Sequence, residues 1–186
     1  MKYIHGTTDF KMNNTCVTIG KFDGLHMGHQ MLIGELKKYE AHGLTSVMLT
    51  FDMAPSEVLH GEKEKQLYSE EERVRLLEKK GPQVLISYPF TRETAATEPY
   101  DFLKEVLIGK LGACVIVIGD DFRFGKDRKG DAAFLIAHER EFDYTTVVCP
   151  RLAINENIVS SSFIRDKLVA GESQTAEIML NRAFFD

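Results

Sequence analysis

The fold is decided by the stretch Ala113-Cys114-Val115-Ile116-Val117-Ile118, which leads into Gly119-Asp120-Asp121. It is the most strongly apolar stretch of the chain, and most of its residues are β-branched, which favours a strand. A strand that is apolar on both faces is typical of the centre of a parallel sheet covered by helices on either side. We therefore place this strand in the middle of such a sheet.

Strands and helices alternate outward from this centre. Strands are predicted at 16–20, 46–51, 84–86 and 144–148. Helices are predicted at 26–42, 69–81, 99–111, 131–140, 161–170 and 175–180. The alternation predicts an α/β protein with a Rossmann-like, doubly wound, mostly parallel sheet and helices on both faces, in one domain over residues 1–186. The stretch 52–66 has no periodicity and is predicted to be a surface loop of functional length.

Composition narrows the classes of function. The chain has 186 residues, of which 44% are hydrophobic and 27% charged, as expected of a globular domain. Its 23 basic and 28 acidic residues give a formal net charge of −5, so we expect no nucleic-acid partner. The N-terminal residues include no apolar core of a signal peptide, and no run is long enough to span a bilayer. A soluble cytoplasmic protein without a membrane partner is predicted, and its oligomeric state stays open.

The cysteines carry little functional signal. Cys16, Cys114 and Cys149 are odd in number, widely spaced and set in apolar, strand-like runs. Such a pattern favours buried thiols over a disulfide framework or a zinc site.

The first turn between a strand and a helix runs from Gly20 to His29 and includes glycines at 20, 24 and 28. Glycines let a ligand approach the backbone, and the start of the helix offers free N–H groups to an anion. His26 and His29, three residues apart, share one side of this helix start and can stabilise phosphate charge. A bare pair with this spacing is more often a surface feature, but the glycine frame favours a site. A metal site is a weaker reading, and the stretch matches neither the dinucleotide pattern nor a P-loop.

Two further stretches have residues suited to Mg-nucleotide chemistry. Asp121 follows the central strand, in a loop where Phe122 or Phe124 could face an aromatic ring, although a charged turn is an equal alternative. The run Ser160-Ser161-Ser162 and Arg165 could bind phosphate at another helix start, or the serines could simply cap it. An arginine in a first helical turn opposes the helix dipole, which an anionic partner would explain.

These stretches resemble the adenylyltransferase module of bacterial FAD synthetases, the N-terminal half of the bifunctional riboflavin kinase/FMN adenylyltransferase family. The matching motifs are the His-x-Gly-His of the first turn, the Gly-Asp-Asp-Phe-Arg-Phe-Gly after the central strand, and Ser160 to Arg165. The first motif marks the wider nucleotidyltransferase superfamily, and the other two narrow the resemblance to the flavin branch. Order and spacing fit from about residue 15 to residue 184.

The resemblance implies transfer of AMP from MgATP to FMN, giving FAD and pyrophosphate, with Mg²⁺ as cofactor. The implied catalytic residues are His26, His29, Arg165 and Asp121, and Asp121 also contacts Mg²⁺ or the FMN phosphate. The implied ATP-binding residues are Gly20, Phe22, Asp23, Gly24, Gly28, Ser160, Ser161 and Ser162. The implied FMN-binding residues are Phe51, Pro55, Phe124 and Arg128.

The chain also departs from the family pattern. Met53-Ala54 stands where the family has Pro-His, and Leu180-Asn181-Arg182 stands where Leu-Gly-Arg is usual. The sequence ends at Asp186 without the β-barrel kinase domain of bifunctional members, so riboflavin phosphorylation is not expected. Two alternatives to FMN adenylylation therefore stay open. One is nucleotidyl transfer to a different small-molecule acceptor, and the other is a non-catalytic nucleotide or flavin binder.

Overall fold

A six-stranded sheet forms the centre of the protein. The computed structural model describes residues 1–53, 55–61 and 65–185, with the backbone alone at 55 and 56. The strands are β1 (Lys2–His5), β2 (Thr15–Ile19), β3 (Thr45–Phe51), β4 (Val84–Tyr88), β5 (Ala113–Gly119) and β6 (Thr145–Cys149). Their order is β1-β4-β3-β2-β5-β6, and every neighbouring pair is parallel. The predicted α/β class and parallel sheet are confirmed.

Strand β5 lies inside the sheet, between β2 and β6, as its apolar sequence predicts. Its neighbour β2 is buried along its whole length, because both strands are covered on both faces. From β2 the chain builds the sheet outward through β3, and it then returns to add β5 on the other side. The carboxyl ends of β2 and β5 therefore flank the point where strand order reverses, which is where ligands bind in such sheets.

Helices cover both faces of the sheet. The helices are α1 (Met27–Glu40), α2 (Pro55–His60), α3 (Glu70–Lys80), α4 (Arg92–Ala95), α5 (Pro99–Asp101), α6 (Ala132–Ala137), α7 (Glu139–Phe142), α8 (Ser161–Val169) and α9 (Ser173–Leu180). One apolar core joins α1, α3, α8 and α9 to the sheet, and a second lies under 102–110 and α6 on the opposite face. Among the described residues, no helix combines the length and apolarity that crossing a membrane requires.

Local signals in the sequence explain where several helices begin and end. Ser69 caps α3 through its side chain, and Glu72 returns a bond to the Ser69 backbone, so the predicted capping box is confirmed. Gly43 follows α1 with φ +86°, a conformation that glycine adopts without strain. The three cysteines are free, with Cys16 and Cys149 buried and Cys114 half-buried.

The structure corrects several predicted elements. The prediction that 52–66 is a loop throughout is wrong, because α2 lies within it. The predicted helix 131–140 divides at His138, whose φ of −101° and ψ of 1° depart from helical geometry. The predicted helix 99–111 is mostly a π-helix, Phe102–Lys110, which continues α5. Strand β1 and a two-stranded hairpin of β7 (Ala153–Ile154) and β8 (Asn157–Ile158) were not predicted.

At the sheet edge formed by β6, a side chain pairs with the strand backbone. The Glu139 carboxylate at the start of α7 accepts a hydrogen bond from the backbone N–H of Thr146 at 2.6 Å. Strand β6 carries no charged residue, and its Thr145 and Val148 are exposed. The Glu139 carboxylate therefore accepts a hydrogen bond from a backbone N–H of a strand that has no charged residue of its own.

Candidate active site

A cleft of about 450 Å³ lies at the carboxyl ends of β2, β5 and β6. The following predicted site residues line it: Gly20, Phe22, Asp23, His26, Gly28, His29, Asp121, Arg128, Ser160, Ser161, Ser162 and Arg165. The starts of two helices, α1 and α8, meet there. Because the first N–H groups of a helix have no intrahelical partner, two helix starts give the cleft a preference for anions.

The turn from β2 to α1 holds a strained backbone. Phe22, Gly24 and Leu25 have φ values of 50°, 78° and 44°, in the left-handed region. Such a conformation costs about 1 kcal/mol or more at a residue other than glycine, so surrounding contacts must hold it. A Cβ at Gly24 would lie 2.6 Å from the Leu67 side chain, which explains why glycine stands there. Thr50 and Arg73 donate hydrogen bonds to the carbonyl of Lys21 in the same turn.

The two histidines form a stacked pair. The His26 and His29 ring centroids lie 3.7 Å apart at an interplanar angle of 21°, and the Phe22 ring lies edge-on to His29 at 5.2 Å. His26 is only 7% exposed. Burial lowers the pKa of His26 to about 4, and burial together with the His26 ring lowers the pKa of His29 well below its ordinary value. Both imidazoles are therefore neutral at pH 7, and each has one N–H to donate.

The pair also has unused hydrogen-bonding capacity. The buried Nδ1 atoms of His26 and His29 have no hydrogen-bond partner within the described part of the chain. A buried polar atom without a partner is unfavourable unless a ligand or water supplies one. The two rings therefore have atoms available to a polar ligand or to water in the cleft.

At the start of α8, the serines and Arg165 join that helix to the β2–α1 turn. Ser160 accepts from the backbone N–H of Phe163 and so caps the helix, while the Ser161 hydroxyl donates to the Asp23 carbonyl at 2.8 Å. Arg165 Nη1 donates to the Asp23 carboxylate at 2.7 Å. The Asp23 and Arg165 side chains are 13% and 21% exposed, so solvent screens this ion pair weakly.

The Asp23 carboxylate also accepts a second hydrogen bond. Its Oδ1 accepts from the backbone N–H of Leu67 at 2.8 Å. One carboxylate thus connects the β2–α1 turn, the segment before α3 and the helix start at Arg165. Because its charge is compensated by Arg165, Asp23 can lie in a cleft that attracts anions.

The loop after β5 adds charges of both signs. Asp121 is exposed at the cleft, with its carboxylate over Gly119, where a Cβ would lie 3.2 Å from Oδ1. Arg128 lines the same side of the cleft. Arg151, which follows β6, pairs with Asp120 at 3.0 Å and also lines the cleft. Sequence patterns did not single out Arg151, although its place directly after a strand end was a usable signal.

The remaining wall of the cleft is apolar. Ile19, Leu32, Leu152 and Val159 line it beside Ser160. Apolar side chains next to polar donors suit a ligand that has both a flat ring and an anionic group.

Residues 9–163 match the family model described as FAD synthetase. The chain belongs to the FAD synthetase family. This confirms the resemblance read from the three motifs.

Curated relatives carry the description bifunctional riboflavin kinase/FMN adenylyltransferase. The protein of Buchnera aphidicola subsp. Schizaphis graminum is 30% identical over 99% of this chain and 61% of its own length. The protein of Bacillus subtilis is 33% identical over 91% of this chain and 54% of its own length. This FAD synthetase-family chain therefore spans about 60% of the relatives it matches.

Solved structures agree with the fold of the FAD synthetase-family chain. A crystal structure titled macrolide-efflux protein from Streptococcus pneumoniae superposes with a TM-score of 0.85 at 26% identity, covering 97% of this chain and 60% of the other. A pantoate-beta-alanine ligase from Francisella tularensis superposes with a TM-score of 0.51 at 17% identity, covering 95% of this chain and 72% of the other. The second likeness concerns the fold alone.

The predicted FMN-side residues of this FAD synthetase-family chain do not lie together. Arg128 is at the cleft, whereas Phe124 is buried against Phe102 and Phe134, and its neighbour Phe122 lines the cleft instead. Phe51 is half-buried at the end of β3, edge-on to another aromatic ring. Pro55 begins α2, but its side chain lies outside the described residues, as does the whole of residue 54. Gly24 shapes the β2–α1 turn from beneath and is absent from the cleft wall that the described residues form.

Proposed function

We propose that the chain transfers AMP from MgATP to FMN, giving FAD and pyrophosphate. One observation carries the proposal: a neutral, stacked histidine pair at one helix start and the Ser161, Ser162 and Arg165 group at another face a single cleft. An in-line transfer between two phosphates requires donors around the reacting phosphorus and the leaving phosphates, and these two groups can supply them. Family membership and the description of the curated relatives support the same reaction.

In the proposed reaction, an oxygen of the FMN phosphate attacks the α-phosphorus of ATP. The bond from that phosphorus to the bridging β-phosphate oxygen breaks, and pyrophosphate leaves with the electron pair. The nucleophile is already an anion, so no residue has to remove a proton from it. The protein's contribution is positioning and stabilisation of charge on the phosphoryl oxygens.

Roles for the cleft residues follow from this scheme. His26 and His29 donate N–H groups to the α-phosphate as its charge rises in the transition state. Ser162 and Arg165, with the free N–H groups at the start of α8, bind the β- and γ-phosphates. The apolar wall by Val159 takes the adenine ring. Gly20 and Gly28 let the nucleotide approach the backbone.

The residues present fit a magnesium ion that arrives with ATP. In the described chain no three His, Cys, Asp or Glu side chains converge as a metal site. Mg²⁺ keeps several waters and is bound through one or two carboxylates plus substrate phosphates, so a dedicated protein cage is not required. Asp121 is the exposed carboxylate at the cleft that would contact it. The ion would neutralise phosphate charge.

On the acceptor side, Arg128 is proposed to bind the FMN phosphate. Phe122 joins Phe51, Pro55 and Phe124 as a candidate for the isoalloxazine side, since it lines the cleft and stacks on Phe124 at 5.5 Å. The substrates of this reaction are cytoplasmic metabolites, so a cytoplasmic location is part of the proposal.

A chromatographic assay of purified protein tests the reaction. MgATP is supplied with FMN or, separately, with riboflavin, and FAD and pyrophosphate are followed. We expect FAD from FMN. We expect none from riboflavin, because riboflavin lacks the phosphate group that acts as the nucleophile. His29→Ala should lower kcat about 100-fold, as loss of a transition-state donor does. His42→Ala, at an exposed histidine beyond α1, is the matched control.

The negative outcomes are informative. A folded, ATP-binding protein that makes no FAD would refute the reaction with FMN. Pyrophosphate release with a different phosphorylated acceptor would then establish a related transfer, and Met53-Ala54, which stands where the family pattern has Pro-His, would be the first stretch to change. Unchanged turnover in His29→Ala would refute the role given to the histidine pair.

A further inference from the structure

Gln30 holds the peptide groups on both sides of His26. Its backbone N–H donates to the His26 carbonyl at 3.0 Å, as the first hydrogen bond of α1. Its side-chain Nε2 donates to the carbonyl of Leu25, the residue before His26, at 2.9 Å. One residue thus fixes the backbone that enters and leaves His26, at the place where Leu25 has a strained, left-handed conformation.

The same side chain connects this turn to the end of α9. Gln30 is 5% exposed, and its Nε2 also donates to the Leu180 carbonyl at 2.7 Å. Carbonyl oxygens can only accept, so the atom of the amide that faces them must be the nitrogen. The opposite orientation would place oxygen against oxygen in a buried site.

Asn181 supplies the partner for the other end of the amide. Its Nδ2 donates to Gln30 Oε1 at 2.8 Å, so every polar atom of the buried amide is paired. Asn181 ends α9 with φ 43° and ψ 58°, a left-handed conformation that asparagine tolerates and glycine adopts freely.

We propose that Gln30 is a positioning residue for His26 and that Asn181 anchors its amide through the hydrogen bond to Oε1. The end of α9 thereby helps to position the histidine pair. The inference concerns the same site as the proposed function and rests on it for the kinetic effect, but the geometric part is independent of turnover.

Asn181→Gly is the decisive variant, because it relaxes the backbone at this position and removes only the amide. Asn155→Gly is the matched control: Asn155 is also left-handed, with φ 48°, but exposed in the β7–β8 turn. Gln30→Met removes all side-chain hydrogen bonds at similar volume. Where Gln30→Met does not fold, Asn181→Gly decides alone.

Two readouts separate positioning from general stability. Nitrogen–proton correlation spectra of the His26 imidazole report its environment, and steady-state kinetics report kcat and the KM for ATP. In Asn181→Gly we expect shifted or broadened His26 signals and a kcat about three- to fivefold lower, with the KM for ATP within about twofold. Gln30→Met should lower kcat about tenfold or more. Asn155→Gly should match the wild type in both.

Several results would overturn the inference. His26 signals of Asn181→Gly that coincide with those of the wild type would do so, as would unchanged kcat alongside altered signals. An equal effect in Asn155→Gly would reduce the role of Asn181 to backbone stability. If the wild type itself makes no FAD, the proposed function fails separately, and the His26 signals alone decide whether Gln30 and Asn181 position this ring.

Discussion

The burial of His26 predicts a specific loss of stability in mild acid. Its pKa is lowered to about 4 in the folded protein, whereas an unfolded histidine has the ordinary value of 6.5. The unfolded chain therefore binds a proton at this residue between these two values while the folded chain does not. Stability from His26 is fully present above pH 6.5 and is lost as the pH falls toward 4.

The magnitude follows from linkage. At pH 5.5 an unfolded histidine is about nine-tenths protonated, which favours unfolding by about 1.4 kcal/mol, whereas the folded group is almost unprotonated. At pH 7.5 the corresponding figure is below about 0.1 kcal/mol. His26 alone should therefore reduce the free energy of unfolding by about 1.3 kcal/mol between pH 7.5 and 5.5.

Urea unfolding measures this difference. The chain has no tryptophan, so circular dichroism at 222 nm is the suitable signal. Wild type and His26→Gln are compared at pH 7.5 and 5.5, and the quantity of interest is the difference between their pH effects, in which the titrating groups that His26 does not influence cancel. The pKa of His29, which the His26 ring helps to lower, stays lowered by burial in the variant. Between pH 7.5 and 5.5, we expect the free energy of unfolding of His26→Gln to fall by about 1.3 kcal/mol less than that of the wild type. Equal losses in the two proteins would refute the conclusion that His26 is buried and neutral.

Two further perturbations have matched controls. Asp23→Asn keeps an acceptor for its backbone partner but removes the charge facing Arg165, so unfolding should become easier by about 1 to 3 kcal/mol and the KM for ATP should rise. Asp120→Asn, at a carboxylate 38% exposed in its ion pair, should change stability by less than about 1 kcal/mol. A Cβ at Gly130 would lie 2.5 Å from a buried phenylalanine ring, so Gly130→Ala should lower stability by about 1 to 3 kcal/mol in a thermal melt. Gly34→Ala, within α1 and with open space around the new methyl, should be neutral or stabilising by up to about 1 kcal/mol, and a similar loss in both alanine variants would contradict this account.

The sequence predicted the parallel sheet and most of the cleft because both depend on local patterns. An apolar run that is buried on both faces, as at β5, reveals a central strand, and a strand end reveals the edge where ligands bind. His26 and Arg165 were predicted on this basis, and both line the cleft. What folding adds is their arrangement: the rings of His26 and His29 stack, and the ion pair of Arg165 with Asp23 joins residues far apart in the chain.

The features that were missed have weak or non-local signals. Strand β1 has four mostly exposed residues and gains its place by pairing with β4, so it shows no periodicity of its own. Helix α2 has six residues, too few for a reliable 3.6-residue pattern. The burial of Phe124 depends on aromatic rings from 102 and 134, and the sequence alone could not distinguish it from Phe122 as the ring that lines the cleft.

The hydrogen bond from Thr146 to Glu139 bears on how the protein behaves at high concentration. An uncharged, β-branched edge strand is a template on which another chain can add by backbone pairing. The carboxylate fills one of the donors that such an addition needs, and it places a negative charge where the incoming strand would lie. Newly made molecules that collide along this edge would have to displace that side chain before their sheets could join, so we expect Glu139 to oppose aggregation through β6.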